Sequence, residues 1–131
     1  MDKIKYAAAI VGGFITAALG GWDTMLVVLV GFVAADYLVG ITAAGMEGKL
    51  NSAVGFRGIA KKILLFVPIA VAFALDTVLQ QDILRSLAIW FYLANEGLSI
   101  AENLGRIGVP LPPGLLGALE QLKQKGEQNA K

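Results

Sequence analysis

The 131-residue chain contains no cysteine and no histidine. Without cysteine there is no disulfide framework and no thiolate nucleophile. Without histidine the commonest general base and the commonest transition-metal ligand are missing. Histidine-dependent triads, zinc hydrolase sites and cysteine nucleophiles therefore have nothing to build on. No other motif pairs the roles that catalysis needs, so the expectation is a non-enzyme without cofactor or metal. Charge is also scarce, at 16% of residues against about 25% in an ordinary soluble domain. The net charge of +1 supplies no bulk attraction to nucleic acid.

Apolar residues make up 56% of the chain, and they fall into runs. Ile4 to Trp22 is 19 residues without a charge beyond Lys5, about enough to cross a hydrocarbon core as a helix. Ala8, Gly12, Thr16 and Gly20 repeat within it at a spacing of four, which lets a second helix backbone approach closely in lipid. The same stretch also reads as a cleavable signal peptide, with Lys3 and Lys5 ahead of an apolar core and Ala18-Leu19-Gly20 at its end. A mature chain starting near Gly21 would identify that case. Trp22 suits a membrane interface.

Thr24 to Gly45 is 22 residues with a single charge, Asp36, near the middle. A carboxylate at that depth must face other helices or water, either as helix-locking glue or as a pore or trigger acid. Met46 to Lys62 is the longest polar interruption. Its glycines Gly48, Gly55 and Gly58 argue against a rigid helix throughout. Its Lys49, Arg57, Lys61 and Lys62 suit a cytoplasmic loop held at an anionic lipid surface. Ile63 to Gln81 is the third apolar run, with Pro68 as an expected kink and Asp76 near its end.

The fourth segment, Arg85 to Arg106, is two-sided. At 3.6 residues per turn Arg85, Tyr92, Glu96, Ser99, Asn103 and Arg106 fall near one line, flanked by Asn95 and Glu102. Leu87, Trp90, Phe91, Leu98, Ala101 and Leu104 occupy the other side. Gly108-Val109-Pro110-Leu111-Pro112-Pro113-Gly114 ends it. Leu115 to Leu122 is short and amphipathic, and Gln121 to Lys131 reads as a solvated, charged tail.

The expected fold is an all-α integral membrane protein. It forms a single domain over 1–131 with helices near 4–21, 24–45, 60–81 and 83–106 and a short helical cytoplasmic tail over 107–131. Lys3, Lys5, the four basic residues of Met46–Lys62, and Lys123, Lys125 and Lys131 all lie on one side if four segments cross and both termini are cytoplasmic. Arg85 opposes that count. Three crossings, with the amphipathic segment lying on the surface, make the tail lysines the exception instead.

The string Asn95-Glu96-Gly97-Leu98-Ser99-Ile100-x-Glu102-Asn103 followed by Gly108-x-Pro110-x-Pro112 resembles the bacteriophage holin family, which includes the clostridial toxin-secretion holins. Ser52-x-x-Gly55-x-x-Gly58-Ile59-x-Lys61-Lys62-Ile63 and Asp76 support the resemblance, which runs from about Val28 through the tail. It implies a protein that accumulates in the host cytoplasmic membrane, oligomerises with itself and opens lesions. A peptidoglycan-degrading endolysin, or a toxin, then passes without needing direct contact. It implies no catalytic residues. The Gly- and Ala-rich first run, clearly separate from the second, departs from the pattern and leaves the crossing count at three or four.

Within that reading Asp36, Asp76, Tyr92, Asn95, Glu96, Ser99, Glu102 and Asn103 are candidates for pore-lining or polar intramembrane roles. Two other classes remain open: a small ion-coupled transporter using Asp36, Asp76 and Glu96, and a membrane scaffold subunit that binds a partner through Arg85–Arg106.

Overall fold

The computed structural model describes residues 2–130, and side-chain surroundings up to Gln128. Lys131, counted above among the tail lysines, lies outside the described residues. Six helices follow one another: α1 (Asp2–Leu19), α2 (Thr24–Met46), α3 (Ser52–Leu64), α4 (Phe66–Leu79), α5 (Leu84–Ile107) and α6 (Pro113–Ala130). No strand occurs among the described residues.

α5 is the organising element. It packs against α2 on one side, against α4 on another and against α6 on a third. The apolar core gathers Leu26 and Leu29 of α2, Ile69 of α4, and Ile89 and Leu93 of α5, with Leu19 from the end of α1. This core is thin. Most large apolar side chains point outward instead, Phe14 and Val78 at 74% and 77% exposure. Such a surface is unfavourable in water and ordinary against lipid.

Two helices are long and apolar enough to cross a membrane: α2, and Ser52–Leu79 taken as one 28-residue unit. That unit is α3 and α4 in sequence, interrupted at Leu65. Pro68 explains the interruption, because it has no N–H to give to the carbonyl four residues earlier. It sits instead in the first turn of α4, where that donor is not needed.

Two stretches differ from expectation. Ser52–Leu64 is helical despite Gly55 and Gly58. Its N-terminus is capped by Asn51, whose side chain accepts from Val54 N–H at 2.9 Å. The glycines make room for Tyr37 of α2, whose ring lies 3.4 Å from where a Cβ on Gly58 would stand and whose hydroxyl donates to the Gly55 carbonyl at 3.1 Å. The second stretch is the C-terminal one. Gln121 onward continues α6 rather than forming a separate solvated tail, and α6 runs back along α5. Leu119 packs at Gly97, where a Cβ would come within 2.5 Å of its Cδ2, and the Lys125 ammonium lies over the Trp90 ring at 5.0 Å.

Candidate functional site, an ion-pair seam between helices

The polar side of α5 faces α2 and α3. Asp36, 13 residues into α2, is 2% exposed, and Glu96, midway along α5, is 6% exposed. Lys62 of α3 reaches both. Its Nζ donates to Asp36 Oδ2 and to Glu96 Oε1 and Oε2, the latter two at 3.0 and 2.7 Å. Asn103, two turns beyond Glu96, donates from Nδ2 to Asp36 Oδ1 at 3.1 Å. Ser99, between Glu96 and Asn103 on the same side of α5, is half-buried. Asn103 Oδ1 in turn accepts from Arg106 Nη1 at 2.8 Å, and Arg106 holds Glu47 with two donors at 3.0 and 2.8 Å. An unbroken polar chain therefore runs from the middle of α5 to its C-terminal end. Hydrogen bonding to Arg106 holds the Glu47 carboxyl below the usual carboxylate range.

A second anchor sits at the other end of α5. The Asp76 carboxylate accepts from the backbone N–H of Leu84 and of Arg85, each at 2.9 Å. It thereby caps a helix start that has no cap of its own. The Arg85 side chain is 10% exposed, and each of its three nitrogens donates. It donates from Nε to the Leu19 carbonyl at 2.6 Å, from Nη1 to Asp23 at 2.6 Å and from Nη2 to the Gly21 carbonyl at 3.0 Å. Asp23 also caps α2 through Leu26 N–H at 3.0 Å. The bond from Arg85 keeps the Asp23 carboxyl below its ordinary range. The turn passes so close that a Cβ on Gly20 would lie 2.8 Å from both Arg85 and Phe73, and φ there is +86°.

Of the expected polar residues, Asp36, Glu96, Ser99 and Asn103 are brought together, but on one another rather than on open space. Lys62 is a correction. It leaves the membrane-surface set of Lys49, Arg57 and Lys61 because α3 is helical and turns it onto α2 and α5. Asp76, expected as a polar intramembrane group, is drawn to the start of α5. Tyr92 packs against the apolar core, edge-on to Phe91 with ring centroids 5.1 Å apart. Asn95 and Glu102 are exposed. In the Ala8, Gly12 and Thr16 row, nothing among the described residues approaches within 4 Å of a Cβ on Gly12. Among the described residues no three acidic side chains converge to hold a metal ion.

Sequence reasoning missed the bracketing. Asp23 and Glu47 flank α2, and Arg85 and Arg106 stand 21 positions apart on α5. Acidic residues at both ends of α2 and arginines at both ends of α5 were a readable sign that these two helices pair, and the contacts make the pairing parallel.

Residues 13–124 match the bacteriophage holin family. The chain belongs to that family. A probable holin of Bacillus phage phi105 is 35% identical over 94 residues, covering 71% of this chain and 70% of the phage protein. An uncharacterized 14.9 kDa protein from the nagH 3′ region of Clostridium perfringens is 40% identical across 95% of this chain and 96% of its own length. An uncharacterized Halalkalibacterium halodurans protein is 38% identical across 92% and 93%. No solved structure matches the chain. A holin is a membrane protein, which accounts for the outward apolar surface and the two long apolar helices.

Proposed function

We propose that this chain is a holin that accumulates in the bacterial cytoplasmic membrane, assembles with copies of itself and opens lesions through which an endolysin, or in a secretion setting a toxin, leaves the cytoplasm. The family match over 13–124 carries this reading. The geometry supplies a physical account of the waiting state. Polar groups at membrane depth are tolerable only when paired or wet. Here Asp36, Lys62, Glu96 and Asn103 satisfy one another inside one protomer, so this seam needs no water from outside.

α5 is pinned at both ends to the ends of α2, which supports its crossing wherever α2 crosses. With α1 and the Ser52–Leu79 unit this makes four crossings. The N-terminus, the α2–α3 connection and the α5–α6 turn lie in the cytoplasm, with Lys49, Arg57 and Lys61 at the anionic surface. Self-association has two apolar surfaces to use: the exposed length of α1 with its small residues, and an apolar hollow of about 510 Å³ bordered by Leu19, Trp22, Val33, Tyr37, Ile59 and Phe66.

Co-expression with a cytoplasmic endolysin lacking any export signal tests the reading. Abrupt loss of membrane potential followed by lysis is expected. Normal growth with the endolysin retained, at full accumulation of the protein in the membrane, refutes it. The buried Asp36–Lys62–Glu96 cluster favours one rival, an ion-coupled transporter. That rival predicts substrate-dependent flux with the potential intact.

A further inference from the structure

The depth that α6 reaches follows from α5. Arg85 and Arg106 hold the two ends of α5 to Asp23 and Glu47, at the two ends of α2. The 21 positions between these arginines rise about 31 Å, which is the thickness of a hydrocarbon core. Gly97 lies near the centre of that rise, and Leu119 of α6 packs on it. Further along α6, Lys125 covers the Trp90 ring and Gly126 comes against Trp90 and the Phe91 backbone. Trp90 is only five positions from Arg85. α6 therefore passes the bilayer midplane and approaches the side of the α1–α2 turn. Leu119 is turned inward, while Glu120, Lys123, Lys125 and Glu127 are exposed. Charged side chains facing lipid at that depth are strongly disfavoured and require water or polar partners.

We propose that the exposed charged surface of α6, and not the polar side of α5, borders the aqueous path of the lesion. The inference rests on the lesion-forming reading and adds which surface meets the water. The polar side of α5 is already engaged by α2 and α3. The α6 face meets water at midplane depth when several copies turn it toward one shared space. Asn95 joins the same surface, beside Lys123 and Glu127 around a small hollow of about 220 Å³. Docked in this way, α6 carries Lys123 and Lys125 away from the cytoplasmic side to which a count of basic residues assigns them.

Purified full-length protein in planar bilayers under a salt gradient provides the test. The exposed face carries two lysines and two glutamates, so charge reversal in either direction is available. Lys123→Glu with Lys125→Glu is expected to shift the reversal potential toward cation selectivity, and Glu120→Lys with Glu127→Lys toward anion selectivity. Because the chain has no cysteine, Gln124→Cys adds an independent readout. A charged, membrane-impermeant thiol reagent is expected to lower the conductance of that variant and to leave the wild type unchanged. Wild-type-sized conductance, with the reversal potential unmoved in both charge variants and the cysteine variant indifferent to the reagent, overturns the inference alone. Absence of any conductance from the wild-type protein overturns the lesion-forming reading beneath it.

Discussion

α1 and α5 are opposites. α1 is apolar and almost wholly exposed; only Leu19, at its last residue, is buried. α5 carries Arg85, Glu96, Asn103 and Arg106 and is the most enclosed helix of the chain, with seven buried residues including Arg85 and Glu96. In a soluble protein the apolar helix is buried and the charged one is exposed. The inversion follows from the solvent. Lipid accepts apolar side chains without loss, whereas charges away from water have only their own protein to satisfy them. Stability is therefore concentrated where the charge is, and freedom to associate where it is not.

The largest break in that contrast is expected from Lys62→Met. It leaves Asp36 and Glu96 facing each other without a cation, at a cost of about 3–5 kcal/mol. Denaturant unfolding of the micellar protein, or its steady-state level in membranes, reads the loss. Adding Asn at position 36 and Gln at position 96 to the same variant is expected to restore most of it, since three neutral groups no longer demand pairing. A single variant as stable as the wild type would remove the seam from any role in stability.

Arg85→Ala comes next. It strands the Leu19 and Gly21 carbonyls and loosens the end of α1, for about 2–3 kcal/mol. Acid sharpens this point. Asp23 is depressed in the folded protein, so its contribution is complete above the ordinary carboxylate value of about 4. It fades as pH falls through the lowered folded value. Asp23→Asn should flatten that part of the stability profile, and an unchanged acid limb would show that the Arg85 contact carries no proton linkage.

Leu119→Ala is expected to cost about 2 kcal/mol through the space left against Gly97 and Phe32. The readout is faster tryptic cutting at Lys123 and Lys125 as α6 lifts from α5. Smallest of all is Gly12→Leu. No change in unfolding midpoint is expected because the position touches nothing in the protomer. Chemical cross-linking should show altered oligomers and lysis should change its timing. If neither moves, the small-residue face of α1 has no part in association.

Much of the fold was legible in the residues. Long apolar runs mark α2 and the Ser52–Leu79 unit, because a crossing helix needs both length and apolar composition. The amphipathic line on α5 was legible from its period, as was the depth of Asp36. What faced that line was not. Periodicity places Glu96 and Asn103 on one side of a helix without saying whether water, lipid or a lysine meets them. Lys62 escaped because Gly55 and Gly58 read as breakers, when their smallness serves Tyr37 on another helix. Asp76 escaped because it caps a helix start beyond an intervening turn. The course of α6 escaped because its polar composition matches a free tail, and only the hole over Gly97 reveals the docking.

The shared lysine has one further consequence. Asp36, Lys62 and Glu96 lie on three different helices, yet one ammonium serves both carboxylates, so no change at one position is neutral for the other two. For inheritance the three behave as a single locus. A substitution at any one should survive selection for lysis chiefly in company with a second, and suppressors of a damaged Lys62 should map to α2 and α5, far from it in sequence.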